Sequence, residues 1–152
     1  RVARNIVSSR RKSPIETTAE LAAIVASSIP SRYGPTKRHP ATRTFQALRI
    51  AVNNELDVIP NALEDAARRL HAGGRIVALS YHSLEDRLVK QTFHRLATGK
   101  DSSESFLPIE TEGPRILNIL TKKRLQPKEL EIHANPRCRS ALFRAAERRE
   151  DT

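Results

Sequence analysis

Apolar residues recur at helical spacing three times in the first half of the chain. In "PIETTAELAAIVASSIP" Leu21, Ile24, Val25 and Ile29 share a face. Thr17-x-x-Glu20 ahead of them is a capping box, and Pro30 stops the run. "SRYGPTKRHP" is loop chemistry, with a glycine and two prolines. In "ATRTFQALRIAVNNEL" Ala41, Phe45, Leu48, Val52 and Leu56 predict a buried face, and Arg43, Gln46, Arg49 and Asn53 form a second stripe containing no acid. "IPNALEDAARRLHAGG" places Pro60 in a first turn, runs Leu63, Ala66, Ala67 and Leu70 along one face and ends at Gly73-Gly74.

The pattern then changes period. "RIVALS" is a short, nearly continuous apolar run of the kind covered on both faces in a parallel sheet. Ser83-x-x-Asp86 reads as the cap of a further helix with Leu84, Leu88, Val89, Phe93 and Leu96 on its apolar side. Helix, strand, helix is one unit of a doubly wound α/β sheet. After a polar stretch, "RILNIL" predicts a second strand and Pro127 opens a short helical segment. "SALFRAAERR" predicts a last strand with Ala141, Phe143 and Ala145 on one face. A boundary falls near residue 56, between a basic helical part and an α/β part.

With 152 residues, 38% of them hydrophobic, the chain can bury a core. No run of 18 apolar residues occurs, "RVARNIVSSRRKS" lacks an apolar signal core, and the absence of methionine makes the chain read as part of something longer. Cys138 is the single cysteine, so no internal disulfide can form, and a reducing compartment, the cytoplasm, is the expectation. The net charge of +10 is unevenly spread: residues 1–49 carry ten Lys/Arg against two Glu, residues 50–121 eight against ten acids, and residues 122–152 nine against five. Two basic blocks flanking a nearly neutral middle point to a polyanion as partner. Aromatic content of 4% speaks against a base-stacking platform, which leaves phosphate as the main contact. The Arg43/Gln46/Arg49 stripe suits phosphate recognition, and a plain solvated helix face accounts for it equally well.

Chemistry concentrates at the end of the "RIVALS" strand, in Ser80-Tyr81-His82-Ser83, where an open α/β sheet meets its ligand. Such an edge normally comes with a glycine-rich loop, yet the five glycines form no G-x-G-x-x-G. Ser83 suits a helix cap as well as a ligand contact, and His82 suits a tie to a neighbouring strand. Glu85, Asp86 and Arg87 fall in the first helical turn, where salt bridges are the expectation. His82-x-x-Glu85 has no matching spacing to His39, His71, His94 or His133, and no metal is expected.

Three long blocks, "RHPATRTFQALRIAVNNEL", "GGRIVALSYHSLEDRLVK" and "LTKKRLQPKELEIHANPRCRSALFRAAERR", resemble the bacterial small-subunit ribosomal RNA cytosine-N4 methyltransferase family, type H, in the family's order and along the whole chain. The resemblance implies the C-terminal half of a class I, Rossmann-like methyltransferase sheet (residues 57–152), preceded by part of an inserted helical substrate-recognition domain (residues 1–56). It implies S-adenosyl-L-methionine as cofactor, held mainly by an N-terminal half whose Gly-rich loop, acidic residues and Ser-Pro catalytic motif are absent here, so that none of these residues binds it and the segment alone is inactive. On this reading His82 and Ser83 line one wall of the cytidine pocket, small-subunit ribosomal RNA is the partner, and Lys37, Arg38, His39, Arg43, Gln46, Arg49, Lys122, Lys123, Arg137 and Arg139 contact it. Two other readings stand beside it: a free-standing, non-catalytic RNA-binding module, and a different α/β enzyme using the same edge for a phosphorylated small molecule. A half-sheet leaves a bare strand edge, so self-association is expected, with no membrane involved.

Overall fold

The computed structural model describes residues 1–29, 39–100 and 113–150. They fall into two compact units, Arg1–Glu55 and Leu56–Thr152.

The first unit is helical. Helix α1 (Val2–Arg10) packs against α2 (Thr18–Ser28), and Asn5 donates from its amide to Ser28 Oγ at 2.9 Å. The capping box at Thr17 forms as expected: the Glu20 N–H donates to Thr17 Oγ1, and Glu20 Oε2 accepts from the Thr17 N–H. Val25 is fully buried, with Leu21, Ile24 and Ile29 partly so. Helix α3 spans Thr42–Asn53. Its expected buried face is only partly realised, because Ala41 is buried and Phe45 half-buried while Leu48 is exposed and Val52 is 81% exposed. Asn54 takes a left-handed conformation (φ 51°) that ends the helix, so Leu56 falls outside it and does not extend the apolar ladder beyond Val52.

The second unit is α/β. Helix α4 (Val58–Arg69) leads through Gly73, in left-handed φ, to β1 (Arg75–Ser80), α5 (Ser83–Thr98), β2 (Leu117–Ile119), α6 (Glu129–Ala134), a 3-10 turn (Pro136–Ser140) and β3 (Leu142–Arg148). The strand order is β1-β3-β2, and both neighbours run antiparallel to β3. Strands β1 and β2 therefore run the same way, as a helical crossover requires, but β3 separates them. The expectation of a parallel ladder around "RIVALS" is corrected accordingly. After β2 the chain stays at one end of the sheet through α6 and the 3-10 turn, so the next strand can only run back.

Ala67, Ile76, Val89, Phe93, Leu96, Ile116, Leu117 and Ala146 form the core, with Leu63, Leu70 and Ala78 packed on it. Helix α5 is thus the cover of one sheet face, tied to α4 by the Arg95–Glu64 ion pair at 2.6 Å. The α5-facing positions of β3 are Leu142, Arg144 and Ala146, opposite Ser80, Ala78 and Ile76; Phe143 and Ala145 lie on the other face. On that face Val77 and Leu79 are 56% and 55% exposed, so β1 is covered on one side only among the described residues.

Candidate nucleic-acid interface and pocket wall

Register decides what meets at the carboxyl end of β1. Ser80 pairs with Leu142, the first residue of β3, and its hydroxyl donates to the Leu142 carbonyl at 3.4 Å. The 3-10 turn with Arg137 and Arg139 leads directly into that end of β3, started by Pro136 and by Asn135, whose Oδ1 accepts from the Arg137 N–H. Because β2 runs with β1, its exit delivers Thr121–Leu125 to the same end, where Leu125 pairs with Phe143, itself opposite Leu79. Lys122, Lys123, Arg137 and Arg139, all exposed, are therefore gathered around the Ser80–Ser83 exit although up to 59 residues separate them from it in sequence.

The exit turn is held by Glu85. Its Oε2 accepts from the N–H groups of Tyr81 (2.9 Å) and His82 (3.3 Å), while the Glu85 N–H donates to His82 Nδ1 at 3.4 Å. The cap of α5 is therefore His82 with Glu85, one residue earlier than the expected Ser83 with Asp86. His82 Nε2 is closed off from solvent, 3.1 Å from Glu85 Oε1 but out of line for a hydrogen bond. The imidazole is thus partly buried within the turn, whereas Ser83 and Tyr81 are exposed on it.

Asp86 is displaced from the cap because it serves elsewhere. Only 5% exposed, it accepts both arms of the Arg144 guanidinium, Nε to Oδ1 at 2.7 Å and Nη2 to Oδ2 at 3.1 Å, and Arg124 Nη1 lies 3.6 Å from Oδ2. The Arg144 fork holds its carboxyl below the usual carboxylate range despite burial, with the charges of Arg144 and Arg124 adding to the effect. Tyr81 belongs to the polar exit read from the sequence, without a role of its own, whereas Arg124 and Arg144 escape that reading because they act through Asp86, a partner in another element.

The remaining expected contacts lie in the first unit. Lys37 and Arg38 fall outside the described residues. His39 is engaged at the start of α3, where Nδ1 accepts from the Ala41 N–H and the carbonyl from Thr42. The Arg43/Gln46/Arg49/Asn53 stripe is not acid-free in three dimensions. The left-handed turn at Asn54 brings Glu55 back onto Arg49 in a fork of 2.8 and 2.9 Å and onto Asn53 at 3.1 Å.

The residues at the β1 exit do not suit an adenosine cofactor. Gly73 and Gly74 sit at the opposite end of the sheet, bonded to Arg148, and Gly99 and Gly113 pair beyond the end of α5. No described glycine opens the exit to a close backbone approach, and both neighbouring acids are occupied. Among the described residues no helix is long and apolar enough to cross a membrane, and no group of three His, Cys, Asp or Glu side chains converges.

The sequence profile of the MraW methylase family matches residues 1–149. Similar curated proteins include the ribosomal RNA small subunit methyltransferase H of Methylobacterium nodulans, 50% identical over 97% of this chain and 43% of the relative. The proteins of the same name from Halothermothrix orenii (45% identical, 97% of this chain and 48% of the relative) and Kocuria rhizophila (45%, 100% and 46%) are similar to comparable extents. The chain spans less than half the length of these relatives. With a match from the first residue almost to the last, the chain belongs to the MraW methylase family.

Proposed function

We propose that these residues form one wall of the substrate pocket and a phosphate-binding edge in an S-adenosylmethionine-dependent methyltransferase that modifies N4 of a cytidine in small-subunit ribosomal RNA, in the cytoplasm. The single observation carrying this reading is that the exposed Lys122, Lys123, Arg137 and Arg139 stand on segments leading to the end of the sheet at which β1 exits into Tyr81 and Ser83. Family membership and the names of the relatives support it. Residues Leu56–Thr152 supply the C-terminal part of the catalytic domain, and Arg1–Glu55 part of a helical substrate-recognition domain, with α3 presenting Arg43, Gln46 and Arg49. The cofactor is held by sequence outside these residues, because the exit lacks a glycine cradle.

Methylation of an exocyclic amine asks mainly for alignment, with a proton lost late, so a rigid wall is what this edge needs to supply. His82 and Ser83 act in that wall, His82 by fixing the turn and Ser83 by facing the target. The test is transfer of labelled methyl from S-adenosylmethionine to small-subunit ribosomal RNA by the full-length protein, with nucleoside digestion to identify the product. N4-methylcytidine is the expected product; tight RNA binding without transfer would instead favour a non-catalytic RNA-binding module. Calorimetric titration with S-adenosylmethionine should give binding to the full-length protein and none to residues 1–152 alone. Binding by the short chain would overturn the division of labour.

A further inference from the structure

The segment between β2 and α6 is fixed to β3 at two points. Thr121 bonds Ala145 through its backbone N–H and through Oγ1, which accepts the Ala145 N–H at 2.9 Å. Leu125 exchanges both backbone hydrogen bonds with Phe143 at 3.0 Å. Between these pins Lys122, Lys123 and Arg124 stand opposite a single residue of β3, Arg144. This is a bulge, the device by which a sheet end re-aims side chains beside a functional site. The residue opposite the bulge and the last residue of the bulge both reach the same carboxylate, that of Asp86.

A purely structural clamp needs only the Arg144 arm, which already occupies both carboxylate oxygens from a buried position, 8% exposed. Arg124 comes from the solvent side, its side chain 48% exposed. Drawing it inward adds little to the core, but it removes the freedom of the bulge and separates one bulge cation from two that remain exposed. Pre-ordering a loop in its binding geometry raises affinity because less is lost on association.

We propose that Asp86 is the positioning residue of this edge: through Arg124 and Arg144 it fixes the bulge that presents Lys122 and Lys123 to an RNA phosphate beside the β1 exit. The inference rests on the RNA-binding reading above. Asp86 itself touches no RNA, so its effect has a sign that distinguishes positioning from simple electrostatics. Removing a negative charge next to a phosphate site strengthens RNA binding if charge alone matters, and weakens it if the carboxylate orders the bulge.

The experiment uses the full-length protein and small-subunit ribosomal RNA, measuring Kd, kcat and KM. Wild-type protein that neither binds nor methylates the RNA would overturn the underlying reading, whatever the variants do. With wild-type binding in place, Asp86→Asn is expected to weaken it and raise KM with little change in kcat; tighter binding would overturn the proposal. Because Asp86→Asn can compromise folding, Arg124→Met, which leaves the Arg144–Asp86 fork intact, is compared with Lys122→Ala/Lys123→Ala and with the combination. The expected effect of the double lysine substitution is about threefold smaller in the Arg124→Met background than alone. Independent effects that multiply would show Arg124 to be one more cation and would overturn the positioning role.

Discussion

Asp86 decides three things at once: the register of the α5 cap, the burial of an arginine and the anchoring of the bulge. Its carboxyl is held below the ordinary range first by hydrogen bonding to Arg144, so the folded protein binds fewer protons in acid than the unfolded chain. The stability it contributes is complete above the unfolded carboxylate value of about 3.9 and is lost as the pH falls through the lower folded value. Glu64, held down by hydrogen bonds from Arg95 and then Arg68, acts in the same direction between α4 and α5. Denaturant titrations of the full-length protein at stepped pH should therefore show stability falling across the acid range. Asp86→Asn should flatten that fall and cost about 3 kcal/mol at neutral pH, because the buried Arg144 guanidinium keeps its charge and loses its counter-ion. A variant with an unchanged acid limb would mean that Arg144 finds another partner.

Elements defined by local chemistry were legible in the sequence, and their partners were not. Helix α2 announces itself through Thr17, Glu20 and its apolar spacing, all within a few residues. Helix α1 does not, since Val2, Ile6 and Val7 make a short pattern among polar residues and its support comes from α2, through Ser28. At the start of α5 the sequence favours the box at Ser83 with Asp86, and only the long-range demand of Arg144 for Asp86 moves the cap to His82. The gathering of the basic residues depends likewise on a β3 register that no local pattern reveals. Two element-level tests follow from the geometry. Gly99 ends α5 at φ 72°, and an added Cβ would collide with the Gly113 carbonyl oxygen, so Gly99→Ala should cost about 1–3 kcal/mol in thermal or denaturant unfolding. Strand β1 has one described neighbour and an exposed Val77 and Leu79. Residues 1–152 alone should therefore self-associate, and Val77→Lys or Leu79→Lys should raise the monomer fraction in light scattering. A monomer before substitution would contradict this.

For the whole molecule, the charge of +10 matters less than which cations are available to a polyanion. At the sheet end Lys122, Lys123, Arg137 and Arg139 are exposed, while Arg124 and Arg144 are drawn onto Asp86. On α3 Arg43 is exposed, whereas the guanidinium of Arg49 is forked onto Glu55. Each phosphate neutralised releases counterions, and the slope of log affinity against log salt counts them. Replacing the four exposed sheet-end cations with alanine should lower the magnitude of that slope for small-subunit ribosomal RNA by about 3. Arg43→Ala should lower it by a little under one, and Arg49→Ala by less than Arg43→Ala, because Glu55 keeps hold of the Arg49 guanidinium. Equal losses at Arg43 and Arg49 would mean that the Glu55 fork opens on binding, in which case Glu55→Gln should leave the slope unchanged while accelerating association. If Glu55 instead holds Arg49 in the complex, Glu55→Gln should steepen the slope by the one cation it frees.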